Sequence, residues 1–387
     1  MMHHNNTKLH VVIRTTWVTA FVAVVLLGVP IAARAEVSVE VSPSFGYVVI
    51  DGGGGGYEAF PDVTRLDDGR LMCIFYEGYA HISPPKAGYP TGGKVMYVTS
   101  SNEGYSWSAP AVLHDSPLDD RDPSITQLSD GRLMTTYFTY DNGVSCSYVI
   151  ESDDAGLTWS TPQQLAYPSY GVSTPIRELS TGRLVAPLYY EDGQSAHGAI
   201  VYSDNGGASW SAPVAIPDSS GTYLDAETDV IELKNGNLYA AQRSSHNPAR
   251  CSVSTDQGET WSDSEDMGFI AHCPYLFRPA VNDDVILMGY RYYEWPAGTG
   301  HTALRYSTDE CETWSEPITI DANCIGAYPS FVDLADGTVL VTYYEEGGGS
   351  NIRSRIITVT PEPATMLLVS AGLVALVRRK RSVAHAG

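Results

Sequence analysis

The sequence predicts an all-β protein, a six-bladed β-propeller of four-stranded blades closed by its N-terminal strand. Three observations predict it. A motif of the form Ser-x-Asp-x-Gly-x-x-Trp recurs five times, with Trp107, Trp159, Trp210, Trp261 and Trp314 standing 52, 51, 51 and 53 residues apart. A hairpin pattern, alternating apolar residues around an Asp-Gly or Asn-Gly turn, recurs six times in phase with it. A strand-like stretch from Val37 to Ile50 precedes the first repeat. Four strands in a period of about 50 residues is the pattern of a propeller blade.

The hairpins begin at Pro61, Pro123, Pro175, Thr228 and Pro329, with a degenerate copy from Pro274 to Leu287. Asp-Gly and Asn-Gly between apolar runs are strong two-residue turn signals, so each copy is half a blade. The other half is the strand entering the tryptophan turn, such as Lys94 to Thr99, and the strand leaving it. In those turns a short Asp or Asn can hydrogen-bond its own backbone, and a Gly supplies positive φ. The tryptophan pins the turn to a sheet, so the motif fastens blades and touches no ligand. Five such turns serve six hairpins because Val37 to Ile50 completes the last blade, which removes two exposed edges. Gly52 to Gly56 lets the chain pass from that closing strand into blade one.

The ends divide the chain into three parts: a signal peptide at 1–35, the propeller at 36–360 and a sorting tail at 361–387. Residues 1–35 carry Lys8 and Arg14, an apolar run from Val18 to Ile31 and the small-x-small site Ala33-Arg34-Ala35, a secretory pattern. Pro361-Glu362-Pro363, an apolar stretch from Ala364 to Val377 and the cluster Arg378-Arg379-Lys380-Arg381 close the sequence. Fourteen apolar residues are few for a membrane span. This order resembles the PEP-CTERM sorting signal, which implies export to the cell envelope, surface or medium and an exosortase-type enzyme as a processing partner. The net charge is −22, and both ends are basic, so the propeller itself is more acidic still. That charge repels nucleic acid and anionic membranes. A soluble monomer is expected. The six cysteines show no metal spacing, and neither metal nor cofactor is called for; Cys73 reads as a buried thiol, and pairing among the others stays open.

Residues just before the six repeated Pro or Thr positions should converge at one mouth of the central channel. They are Phe60, Asp122, Thr174, Glu227, Cys273 and Tyr328, preceded by Ala59, Arg121, Ser173, Ala226, His272 and Ala327. A concave ring holding Asp, Glu, Tyr, His and Arg suits a sugar.

Five such turns on six blades resemble the sialidase superfamily, whose turns are called Asp boxes or BNR repeats. The resemblance implies a tyrosine nucleophile paired with a glutamate, three arginines on the substrate carboxylate and an aspartate general acid on a loop of blade one. A tyrosine suits sialic acid because a carboxylate nucleophile would meet the charge of the substrate carboxylate. Ala327-Tyr328-Pro329-Ser330 resembles the nucleophile segment. Glu227-Thr228-Asp229-Val230-Ile231-Glu232-Leu233, followed by Arg243, resembles the glutamate segment and the second arginine. Tyr328 is then the nucleophile, Glu227 its proton acceptor and Arg243 a carboxylate ligand.

The chain also departs from that pattern. Ala59 stands where the first arginine belongs, the loop from Glu77 to Gly93 holds His81 and no aspartate, and the third arginine is missing before Leu304, although Arg291 and Arg305 are near. Arg121 and Arg278 are candidates to supply the missing cations. Asp122, Glu58, Asp62 and His81 are candidates for the acid, and His272 and Tyr275 for further substrate contacts. The leading expectation is a retaining glycoside hydrolase for sialic acid or another acidic sugar. A non-catalytic carbohydrate-binding or surface-assembly propeller, and a polysaccharide hydrolase or lyase of other specificity, share the fold.

Overall fold

The computed structural model describes residues 37–42, 47–50, 56–225, 227–244, 246–294, 299–346 and 350–361. The expected signal peptide and residues 362–387 of the tail lie outside them. Every regular element among the described residues is a strand, and the strands form six sheets, one per blade. Blade one runs Tyr57–Arg65, Leu71–Gly78, Lys94–Ser100 and Ala111–His114 from the axis outward, and blades two to five repeat that order. Blade six is Ala327–Asp333, Val339–Glu345 and Asn351–Pro361, completed by Val37–Val41 antiparallel to the last of these, with Tyr47–Ile50 also pairing it. The N-terminal strand closes the ring as the sequence predicts.

The tryptophan turns are fastened alike. Ser152 Oγ donates to Asp154 Oδ1 at 2.8 Å and accepts from the Gly156 N–H at 2.9 Å, while Asp154 Oδ1 accepts from the Thr158 N–H at 2.8 Å. The copies at Ser254 and Ser307 repeat these bonds, and those at Ser100 and Ser203 use Asn for Asp. Each turn also wedges against the preceding blade: a Cβ on Gly258 would lie 2.7 Å from Ile200 Cδ1. Cys311 fills the equivalent position of blade five at φ 70° and is buried. All six cysteines are free thiols.

Two buried carboxylates tie the inner strands at the axis. Asp62 accepts from the backbone N–H of Val63 and of Ile125, both at 2.9 Å, from Tyr275 Oη at 3.1 Å and from Ser330 Oγ, so it joins blades one, two, five and six. Asp229 pairs with Arg177 at 2.5 Å and accepts from the N–H of Leu276 at 2.6 Å, which joins blades three, four and five. Buried polar groups are tolerable here because they are satisfied.

Candidate active site

Four blades present their ring residue by the same device. The pairing of the inner strand slips between Ala59 and Asp62, Arg121 and Ser124, His272 and Tyr275, and Ala327 and Ser330. Within each slip the residue before the proline takes positive φ: Phe60 53°, Asp122 45°, Cys273 43° and Tyr328 47°. A following proline disfavours the right-handed helical region, and a bulge re-aims the residue at the axis. Four non-glycine residues in this region cost roughly 1 kcal/mol each or more. Such strain persists where surrounding structure over-determines it, here the Asp62 bonds two or three residues downstream. The side chains meet: Phe60, Asp122, Ser173, Cys273 and Tyr328 line one narrow cavity on the axis.

Tyr328 donates from Oη to Glu227 Oε1 at 2.5 Å. Arg243 Nη1 reaches the same oxygen at 2.5 Å, its Nη2 reaches Asp225 at 2.9 Å, and the Cys273 N–H donates to Glu227 Oε2 at 3.3 Å. Burial opposes ionisation of Glu227, but Arg243 outweighs it and holds the carboxyl below its ordinary value. Burial, then the charge of Glu227, pushes the Tyr328 phenol well up. The pair therefore rests as a neutral phenol donating to a carboxylate, the arrangement from which a carboxylate can take the proton as the oxygen attacks.

Arg121 is buried with its guanidinium carbon 5.5 Å from the Phe60 ring and 3.6 Å separating Nη2 from Asp122. Asp122 is pushed up to about 7, first by burial and then, against the pull of Arg121, by Glu227. Phe60 packs edge-on to Tyr328 at 4.8 Å and to His81 at 5.4 Å. His81 is half exposed and shares a hydrogen bond of 2.8 Å between Nδ1 and Tyr57 Oη. Burial and Arg121 lower its pKa. His272 is buried and stacks on Tyr293 at 5.6 Å.

Other candidates lie elsewhere. Arg278 is six residues beyond His272, just past the end of its strand, about 20 Å at an extended rise. It lines the funnel at the opposite end of the axis and pairs there with Glu310 at 2.9 Å. Tyr275 and Asp62 belong to the axial network beneath the prolines. Glu58 is buried on the inner strand opposite Glu77, its Oε1 against Gly56. Arg305 covers Phe269 at 4.2 Å.

The cation that the candidate set lacks is Arg291. Arg291 stands directly opposite His272 in the strand pairing, its guanidinium lies 6.0 Å from the Tyr328 ring, and its bond to the Gly326 carbonyl is 3.3 Å. The Nε atoms of Arg121, Arg243 and Arg291 are buried with no hydrogen-bond partner. The hairpin register alone points to Arg291, since it places position 291 level with ring residue 272.

Residues 120–272 match the BNR repeat-like domain and residues 359–381 the PEP-CTERM protein-sorting motif. The chain is 26% identical over 224 residues to an anhydrosialidase of Macrobdella decora and 25% identical over 233 residues to a sialidase of Vibrio cholerae. These alignments cover 50% and 51% of this chain but 28% and 30% of those proteins. A protein of unknown function from Dyadobacter fermentans has the same fold, with TM-score 0.72 and 21% identity over 83% of this chain and 99% of that one. The sorting motif indicates export to the cell envelope or surface and implies processing by an exosortase. Repeat, blade count and relatives agree: the chain is a six-bladed propeller with a BNR repeat-like domain and a PEP-CTERM sorting motif, similar at low identity to sialidases.

Proposed function

We propose that the mouth is the active site of an exported glycoside hydrolase that acts with retention on sialic acid or another acidic sugar. The observation that carries this is the hydrogen bond of 2.5 Å from Tyr328 to Glu227, in a carboxyl environment set by Arg243. Tyr328 Oη attacks the anomeric carbon as Glu227 takes its proton, and a glycosyl-tyrosine forms; water then releases the sugar. Arg243 is engaged by Glu227 and Asp225 and positions the base. Arg121 and Arg291 flank the pocket with unfilled donors and receive the sugar carboxylate. At mildly acidic pH Asp122 keeps its proton and adds no charge beside the incoming anion.

The test is a screen of the protein against sialosides, uronosides and sulfated glycans, repeated with Tyr328→Phe. Turnover of an acidic glycoside that falls by a factor of about 10³ or more in the variant is the expected result. Turnover retained by Tyr328→Phe refutes the assignment.

A further inference from the structure

A nucleophile on the floor of a pocket places the leaving group on the far side of the sugar, toward solvent. Displacement with Tyr328 Oη attacking from the axial ring requires the proton donor to stand at the rim. Asp122, the acidic side chain on the ring besides Glu227, is buried on the floor beside Tyr328 and faces the wrong side of the sugar for this step. His81 stands at the rim, half exposed, with Phe60 between it and Tyr328.

The surroundings of His81 form a directional chain. Tyr57 Oη lies 2.8 Å from His81 Nδ1 and 3.3 Å from Glu346 Oε1, and Glu346 itself is 3.9 Å from Nδ1. Tyr57 Oη also lies 3.5 Å from Tyr344 Oη, and one phenolic proton cannot serve all three neighbours. If it points to Glu346, a carboxylate that only accepts, the Tyr57 oxygen must accept from an Nδ1–H. That fixes the exchangeable proton on Nε2, the nitrogen away from Tyr57. The loop bearing His81 is clamped from blade two: Asp119 accepts from the Ser83 N–H at 2.8 Å and from Tyr76 Oη at 2.9 Å, and Ser83 Oγ accepts from the Tyr79 and Ala80 N–H groups. The charged groups acting on His81 come from four other blades: Arg121 and Arg291 disfavour its protonation, and Glu346 and Glu227 favour it.

We propose that His81 is the general acid of this site, held in its Nδ1–H form by the Glu346–Tyr57 relay. The inference rests on the Tyr328 reading above. In the first step the anomeric C–O bond breaks as the C–Oη bond to Tyr328 forms. The His81 imidazolium passes its Nε2 proton to the departing oxygen and is left as the neutral Nδ1–H tautomer, and Glu227 holds the proton of Tyr328. In the second step water attacks the anomeric carbon and its proton goes to Nε2. The tyrosine leaves and recovers its proton from Glu227, so both groups are restored.

Two measurements test it. Nitrogen-15 NMR of the protein should show neutral His81 as the Nδ1–H tautomer, with a pKa that falls in Glu346→Gln; an Nε2–H tautomer, or a pKa indifferent to Glu346, overturns the relay. His81→Ala and His81→Gln should cleave 4-nitrophenyl sialoside within about 10-fold of wild type, because nitrophenolate leaves without a proton. The same variants should lose about 10²–10⁴ on the methyl sialoside, with matching uronosides if the screen selects them. Equal losses on both leaving groups, or none, overturn the assignment. If His81→Ala is fully active on the methyl glycoside while Tyr328→Phe is dead, only the acid assignment fails. If Tyr328→Phe stays active, or wild type cleaves neither substrate, both readings fall together.

Discussion

Replacing Asp62 by Asn keeps the shape of the axial hub and removes one acceptor. The carboxylate has its Oδ1 facing Val63 N–H, Tyr275 and Ser330, and its Oδ2 facing Ile125 N–H. An Asn amide must put its NH₂ in one of those places. Toward Val63, Tyr275 and Ser330 it would confront three donors, so the cheaper orientation faces Ile125. That leaves one backbone N–H and the amide N–H unsatisfied in a buried site, at about 1–3 kcal/mol each, or roughly 2–6 kcal/mol together. Unfolding entropy of about 2.1 cal/mol/K per residue over a propeller of this size gives about 1.5 °C per kcal/mol, so Tm should fall by roughly 3–9 °C. Thermal unfolding by circular dichroism at pH 7, with Asp62→Ala as the more severe control, is the assay. An Asn variant melting within about 1 °C of wild type would refute the hub, and with it the account of what holds the four bulges in place.

Stability should also peak on the acid side of neutrality. Burial, first among the causes, raises Asp62 to about 6 and both Asp120 and Asp122 to about 7, from a usual 3.8. An acid whose folded pKa lies above its unfolded value contributes stability at low pH that is lost as pH rises through the interval between the two values. Glu227 has the opposite sign, its contribution vanishing as pH falls through its lowered pKa. Tm should therefore be higher near pH 5.5 than at pH 8, and a profile that rises steadily from pH 5.5 to 8 would sink this reading. At the periphery, Gly258→Ala adds a Cβ 2.7 Å from Ile200 Cδ1 at φ 93° and should destabilise by about 1–3 kcal/mol in urea unfolding. A neutral result would mean that blades three and four are not wedged at that turn.

The architecture was legible because it is repeated: five turns and six hairpins at a common period leave few folds that can hold them. The ring was legible for the same reason, since phase alone puts positions 60, 122, 273 and 328 at one level of the axis. What the repeat could not give is the depth and direction of individual side chains. Arg278 and Arg291 are both near blade five's ring position in sequence, yet one sits a strand's length away and the other level with it, a distinction carried by register. Asp62 reads as a free acid beside a site proline until the structure shows four donors converging on it from four blades. The relay from Glu346 through Tyr57 to His81 joins the sixth blade to the first and exists only because the ring closes.

The departures from the family pattern also compensate one another. With Ala59 in place of an arginine, the floor between blades one and six is filled by Phe60, packed against Tyr328 and Tyr344, and an apolar ring cannot hold a carboxylate. The cation is moved one blade round: Arg121 occupies the position in blade two that Ala59 holds in blade one, and its guanidinium lies over Phe60 and, at 5.7 Å, over Tyr76. A carboxylate bridging Arg121 and Arg291 would then lie across the pocket from the place that a blade-one arginine would dictate. The sugar would be rotated about the anomeric carbon with it. Rotation of that kind moves the leaving-group oxygen relative to the blade-one loop, and a longer, ring-bearing donor such as His81 reaches further than an aspartate from the same backbone. On the proposed assignment, Ala59 in place of the first arginine, Arg121 in blade two and His81 in place of an aspartate follow from one change in how an acidic sugar would be seated.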